Sequence, residues 1–130
     1  MPDTSDILRK YRTIAVVGLS NNPMRPSHGV SEYMKSQGYK IIPVNPGHPQ
    51  ILGEKSYRTL EDIPEPVEIV NIFRRSEMIP PVVDSAIAIG AKVVWMQEGI
   101  QNHEAAEKAR AAGLEVVMNT CILKAHRRMG

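Results

Sequence analysis

Five short runs of apolar and β-branched residues, at 13–17, 40–44, 67–73, 92–96 and 115–118, constrain this chain more than any other feature. Each is a few residues long and nearly continuous in its apolar character, as strands buried on both faces are. Between most of them lie segments with apolar residues at helical spacing, and Gly38, Gly90 and Gly113 fall where three of those helices should stop. Strands that alternate with helices predict an α/β chain with right-handed crossovers. The expected fold is a Rossmann-like three-layer α/β/α arrangement around a five-stranded, mainly parallel sheet. A length of 130 residues suits one domain over 1–130.

The helical expectations are specific. A first helix over 5–11 would be capped by Thr4 or Ser5, and a second opens at Pro26-Ser27 and ends at Gly38. The stretch 45–57, broken by Pro46, Gly47, Pro49 and Gly53, reads as loop with an edge segment near Ile51-Leu52. Thr59 should cap a short turn through Ile63. Ser76 should cap a helix to Ile89, with Pro80 and Pro81 in its first turn, where a missing N–H costs little. Asn102 should cap an Ala-rich helix, and a short basic helix should follow Cys121.

Composition narrows the function classes. A net charge of +2 with dispersed basic residues gives no nucleic-acid footprint. A single cysteine excludes an internal disulfide framework and fits a reducing cytoplasm. The first residues lack the basic and apolar regions of a signal peptide, and no apolar run is long enough to span a membrane. The expected location is therefore cytoplasmic, with no membrane partner.

In a parallel sheet, ligands bind outside the carboxyl ends of the strands. This selects the loop 18–28 and the segments 44–46, 73–76, 97–99 and 119–121. The first is the most informative. A strand stops at Gly18, a polar loop follows, and a helix begins at Pro26-Ser27, so free N–H groups at the helix start can attract an anion. Arg25 and His28 add cations beside them, and Arg74 and Arg75 offer guanidinium forks at the end of the third strand. Ser20, Asn21, Asn22 and Ser27 supply neutral donors.

A dinucleotide fingerprint fits poorly. Gly18-Leu19-Ser20 lacks the second glycine, and the second strand ends in Val44-Asn45-Pro46 with no carboxylate for the ribose hydroxyls of NAD. Catalytic patterns are also thin, with no Walker loop, nucleophile elbow or zinc-type spacing. The four histidines are scattered and read as surface or capping residues. Cys121 is the one thiol, at a strand-to-helix turn, and reads as structural rather than nucleophilic. Glu98 is a lone carboxylate and makes no acid/base pair.

The motifs Val-Val-Gly-Leu-Ser at 16–20, Pro-Val-Asn-Pro at 43–46, Val-Asn-Ile-Phe-Arg-Arg at 70–75, Val-Val-Trp-Met-Gln-Glu-Gly-Ile at 93–100 and Val-Val-Met-Asn-Thr-Cys at 116–121 resemble the small bacterial CoA-binding proteins. These are similar to the CoA-binding domain of the succinyl-CoA synthetase α subunit. The resemblance runs in order over nearly the whole chain and implies that CoA or an acyl-CoA binds at the strand carboxyl ends. It places Gly18, Leu19 and Ser20 on the pyrophosphate, beside Arg25, Pro26, Ser27 and His28. Val44, Asn45 and Pro46 would border the adenosine. Phe73, Arg74 and Arg75 would sit beside it or the 3′-phosphate, and Gln97, Glu98 and Gly99 would flank the pantetheine. The phosphohistidine activity of the synthetase belongs to a separate domain and is not carried over. Family members often show Asp-Arg-Cys where this chain has Asn119-Thr120-Cys121, so the resemblance assigns that turn no role. Two rivals stay open: a CoA-dependent transferase or thiol enzyme using Cys121, and a CoA-responsive interaction module. The resemblance names no protein partner.

Overall fold

The structure, a computed structural model, describes residues 2–129; Met1 and Gly130, part of the expected domain, lie outside the described residues. The first half runs α1 (Thr4–Lys10), β1 (Thr13–Val17), α2 (Pro26–Ser36), β2 (Lys40–Val44), β3 (Gln50–Ile51) and β4 (Glu54–Lys55). The second half runs β5 (Ile69–Ile72), α3 (Ile79–Ala88), β6 (Val93–Met96), α4 (His103–Ala111), β7 (Glu115–Val117) and α5 (Ile122–Arg127). Short 3-10 turns stand at Leu60–Asp62 and Ser76–Met78. Five strands form one sheet in the order β2-β1-β5-β6-β7, every neighbouring pair parallel. This is the expected Rossmann-like α/β architecture.

Successive residues of a strand face opposite sides of the sheet, and β1 shows the consequence. Ile14 and Val16 pack with Leu8 of α1, Met34 of α2 and Ile122 of α5, while Ala15 and Val17 pack with Val83 and Ala86 of α3 and Ala106 of α4. Helices α1, α2 and α5 therefore cover one face, and α3 and α4 the other. His126 knits the first layer: its Nδ1 lies 2.8 Å from the Tyr33 hydroxyl, and its ring meets both Tyr33 and Tyr39 edge-on. Tyr39 donates to the Leu8 carbonyl at 2.6 Å. Burial holds its phenol above the ordinary value, against the opposing pull of Arg12.

Local differences from expectation have local causes. The cap of α1 is Asp3, whose Oδ1 accepts from Ser5 N at 2.9 Å. Asn102 caps α4 as expected, accepting from Ala105 N at 2.9 Å. Thr59 makes no side-chain cap bond. Ser76 opens a 3-10 turn rather than the helix itself, which starts at Ile79 with a proline in its first turn.

The largest difference is at 50–55, where β3 and β4 form an antiparallel hairpin. Its turn uses Leu52 and Gly53 at φ 55 and 74, a left-handed pair usually built from Asn-Gly. Tertiary contacts offset the cost of the leucine. Its side chain packs on the α2 side of the core, and its carbonyl accepts from Lys35 Nζ at 2.6 Å. The chain then runs back along edge strand β2: Tyr57 N donates to the Pro43 carbonyl at 3.0 Å, and Asn45 N to the Tyr57 carbonyl at 2.9 Å. Pro43 is tolerated because an edge strand can spare its N–H. This strap carries Ser56 and Arg58 to the carboxyl end of the sheet. No helix among the described residues is long and apolar enough to cross a membrane.

Candidate functional site

The strand order reverses between β1 and β5, since β2 lies to one side of β1 and the later strands lie to the other. Loops leaving such a switch point diverge and open a crevice. Here the crevice is a cleft of about 990 Å³. One wall is the loop from β1 into α2, with Gly18, Ser20, Asn21, Asn22, Arg25, Pro26 and Ser27. The second wall, after β2, is Asn45, Pro46 and His48, and the third, after β5, runs from Phe73 to Glu77. Gly99 and Ile100 complete the lining.

Gly18 is fixed by the crossing of β1 against β5. Its φ is +87, and a Cβ there would lie 2.4 Å from the Phe73 carbonyl oxygen. Its N–H donates to the Val44 carbonyl at 3.1 Å, while Phe73 N donates to the Val17 carbonyl at 2.9 Å. Glycine thus lets three strand ends converge, and the cleft floor depends on it.

The loop beyond Gly18 holds its own shape. Ser27 Oγ accepts from Ser20 N at 2.9 Å, Ser20 Oγ from Asn22 N at 3.0 Å, and Asn22 Oδ1 from Met24 N at 2.9 Å. The N–H groups of Asn21 and Ser27 have no partner among the described residues. Open donors on a loop preorganised by its neighbours suit an anion. Arg25, at the N-cap of α2, and Arg74 make no ion pair among the described residues, whereas Arg75 Nε lies 3.5 Å from Glu77. Asn45 joins two walls: Nδ2 donates to the Leu19 carbonyl at 2.9 Å, and Oδ1 accepts from Gly47 N at 2.8 Å.

Several residues singled out in the sequence do not line the cleft. The side chains of Leu19 and Val44 are in the core. His28 is half-buried on the first turn of α2 and is not part of the lining. Gln97 is buried and donates to Asn71 Oδ1 at 2.8 Å. Glu98 is exposed and pairs with Lys124 at 2.9 Å; that hydrogen bond and charge hold the lysine above its ordinary value. Cys121 stands at the N-cap position of α5 without a side-chain cap bond and is half-buried, also outside the lining. Conversely, His48, Glu77 and Ile100 line the cleft without a sequence signal beyond their place in loops after strands. Among the described residues no three His, Cys, Asp or Glu side chains cluster to hold a metal ion.

The cleft has the chemistry of an anionic ligand's seat: open N–H groups, two unpaired guanidinium groups and apolar contacts from Phe73, Pro46 and Ile100. Residues 12–127 match the family model of the CoA binding domain. The chain belongs to the CoA-binding domain family. It is 44% identical over 124 residues to the "Uncharacterized protein YneT" of Bacillus subtilis, covering 95% of this chain and 92% of that one. It is 27% identical over 122 residues to the α subunit of an ADP-forming acetate–CoA ligase II of Pyrococcus furiosus. There the match covers 85% of this chain but only 27% of the subunit, so this chain spans about a quarter of that relative's length. A solved structure of a hypothetical protein from Pyrococcus horikoshii superposes with a TM-score of 0.95 at 41% identity, covering 98% of this chain and 89% of that one.

Proposed function

We propose that this chain binds CoA or an acyl-CoA in the switch-point cleft and performs no chemistry of its own, acting as one cytoplasmic unit. In this reading the pyrophosphate lies on the loop from Gly18 through Ser20, against the N–H groups of Asn21 and Ser27. Arg25 and Arg74 neutralise its charge from the two sides. The adenosine lies toward Asn45 and Pro46, and the pantetheine runs past Phe73 toward Gly99. Leu19 anchors the loop in the core, His28 stands beside the site on the first turn of α2, and Arg75 adds positive charge at its rim.

The observation that carries the proposal is the coincidence of open N–H groups and unpaired Arg25 and Arg74 in one cleft. A chain of the CoA-binding family that leaves these groups without partners holds them ready for phosphate oxygens. Nicotinamide dinucleotides fit less well, because the end of β2 offers Asn45 in place of a carboxylate and both ends of its amide are engaged. A thiol enzyme is disfavoured, since Cys121 does not line the cleft.

Calorimetric titration with CoA and with NAD tests the proposal. CoA should bind at least about ten-fold more tightly, the effect of one charge-assisted contact. Equal affinity for the two would overturn it. Native mass spectrometry of the purified protein should also show a co-purified species with the mass of CoA or an acyl-CoA.

A further inference from the structure

At its β6 end the cleft changes character. The wall after β5 meets Gly99 and Ile100 there. The backbone donors of the β6 loop are already engaged: Gly99 N donates to Asn119 Oδ1 at 2.6 Å, Ile100 N to the Gln97 carbonyl at 2.9 Å, and Gln101 N to Ser76 Oγ at 3.3 Å. The cations near this end are engaged too. Arg75 faces Glu77 at 3.5 Å, and Lys124 holds Glu98 at 2.9 Å. Arg74 lies toward the β1 loop instead, with its Nε 3.5 Å from where a Gly18 Cβ would stand.

What this end leaves uncovered is apolar. Phe73 and Ile100 are half-buried in the lining, and Met78, one residue past Glu77, is 47% exposed. Among the described residues the other large apolar side chain left exposed is Met24, in the loop from β1 into α2. A pantetheine running past Phe73 toward Gly99 brings its thiol to this apolar end. A carboxylate attached to that thiol would leave water beside Glu77 with no free cation to meet it. An aliphatic chain would instead remove the surfaces of Ile100 and Met78 from water. We propose that the β6 end of the cleft selects the acyl group, taking a neutral aliphatic acyl thioester in preference to free CoA and giving no preference to one that ends in a carboxylate. This rests on the CoA reading above and adds the class of acyl group to it.

The test is calorimetric titration of the wild type, Met78→Ser, Met24→Ser and Glu77→Gln with CoA, hexanoyl-CoA and succinyl-CoA. The wild type should bind hexanoyl-CoA about ten-fold more tightly than CoA, the effect of burying two methylene groups. Succinyl-CoA should bind no more tightly than CoA. Met78→Ser, at an exposed position, should shrink the hexanoyl advantage to about three-fold and leave the affinity for CoA unchanged. Met24→Ser should keep the full advantage, which separates this end from apolar contact elsewhere on the surface. Glu77→Gln should raise succinyl-CoA relative to CoA, because it removes a carboxylate and frees Arg75. The acyl assignment is overturned, with the CoA reading intact, by a wild type that binds hexanoyl-CoA no more tightly than CoA or succinyl-CoA as tightly as hexanoyl-CoA. An advantage unchanged in Met78→Ser, or lost in Met24→Ser, overturns it as well, as does a Glu77→Gln variant in which succinyl-CoA gains nothing. A wild type that binds none of the three overturns both readings.

Discussion

The carboxyl edge of the sheet has two halves that treat their polar groups in opposite ways. After β6 and β7, nearly every group that could meet a ligand already has a partner. Gln97 turns inward to Asn71, Asn119 Oδ1 accepts from Gly99 N at 2.6 Å, and Asn119 N donates to the Ile100 carbonyl at 3.0 Å. Thr120 N donates to the Met96 carbonyl at 3.2 Å, Trp95 Nε1 to the Thr120 carbonyl at 2.8 Å, and Glu98 holds Lys124. After β1 and β5, the loops brace themselves but leave N–H groups and two guanidinium groups open. The β6/β7 half is finished as structure, and the β1/β5 half keeps donors and charges without protein partners among the described residues. Leaving charges unpaired is tolerable at an open crevice because water solvates them.

Substitutions on the two sides should therefore separate stability from binding. The largest effect belongs to Gly18→Ala, which sets a Cβ against the Phe73 carbonyl and holds alanine at φ +87. Strain and overpacking together should cost about 2–5 kcal/mol, lowering the melting temperature and abolishing CoA binding. Next, Arg25→Ala and Arg74→Ala should each weaken CoA binding by roughly ten- to a hundred-fold, from about 1.5–3 kcal/mol per charge-assisted contact, with the melting temperature unchanged. Wild-type affinity in both variants would erase the contrast between the halves.

Asn119→Ala is the converse experiment. It removes the bond to Gly99 N and leaves alanine in a left-handed position that asparagine tolerates better. Denaturant unfolding should show a loss of about 1–3 kcal/mol, with CoA affinity in the folded protein lowered far less than in Arg25→Ala or Arg74→Ala. Smaller still, Cys121→Ser should bind CoA as the wild type does under reducing conditions, because the thiol lies outside the lining. A loss of affinity there would revive the thiol-enzyme reading.

How much of this was legible in the sequence follows from the range of the interactions. The strands were, because a run such as Thr13–Val17 needs burial on both faces wherever it sits, and its limits are the observed ones. The cap at Asn102 and the helix-ending glycines are local chemistry and were legible too. The hairpin was not. Leu52 takes a conformation its own type disfavours, and Lys35 and the core, distant in sequence, hold it there. The same limit governs the site. Position at a strand end located Arg25, Arg74, Asn45 and Pro46 in the cleft, but it could not tell that Gln97 turns inward to Asn71 or that Glu98 is held by Lys124. Those choices depend on partners 26 residues away.

The central claim is that the ligand enters at the β1/β5 half of this edge. Amide chemical-shift mapping during a CoA titration tests it residue by residue. The account predicts the largest shifts at Asn21, Ser27 and the amides of Phe73 to Arg75, with residues 119–124 still. Largest shifts at 119–124, with the loop after Gly18 unmoved, would contradict it.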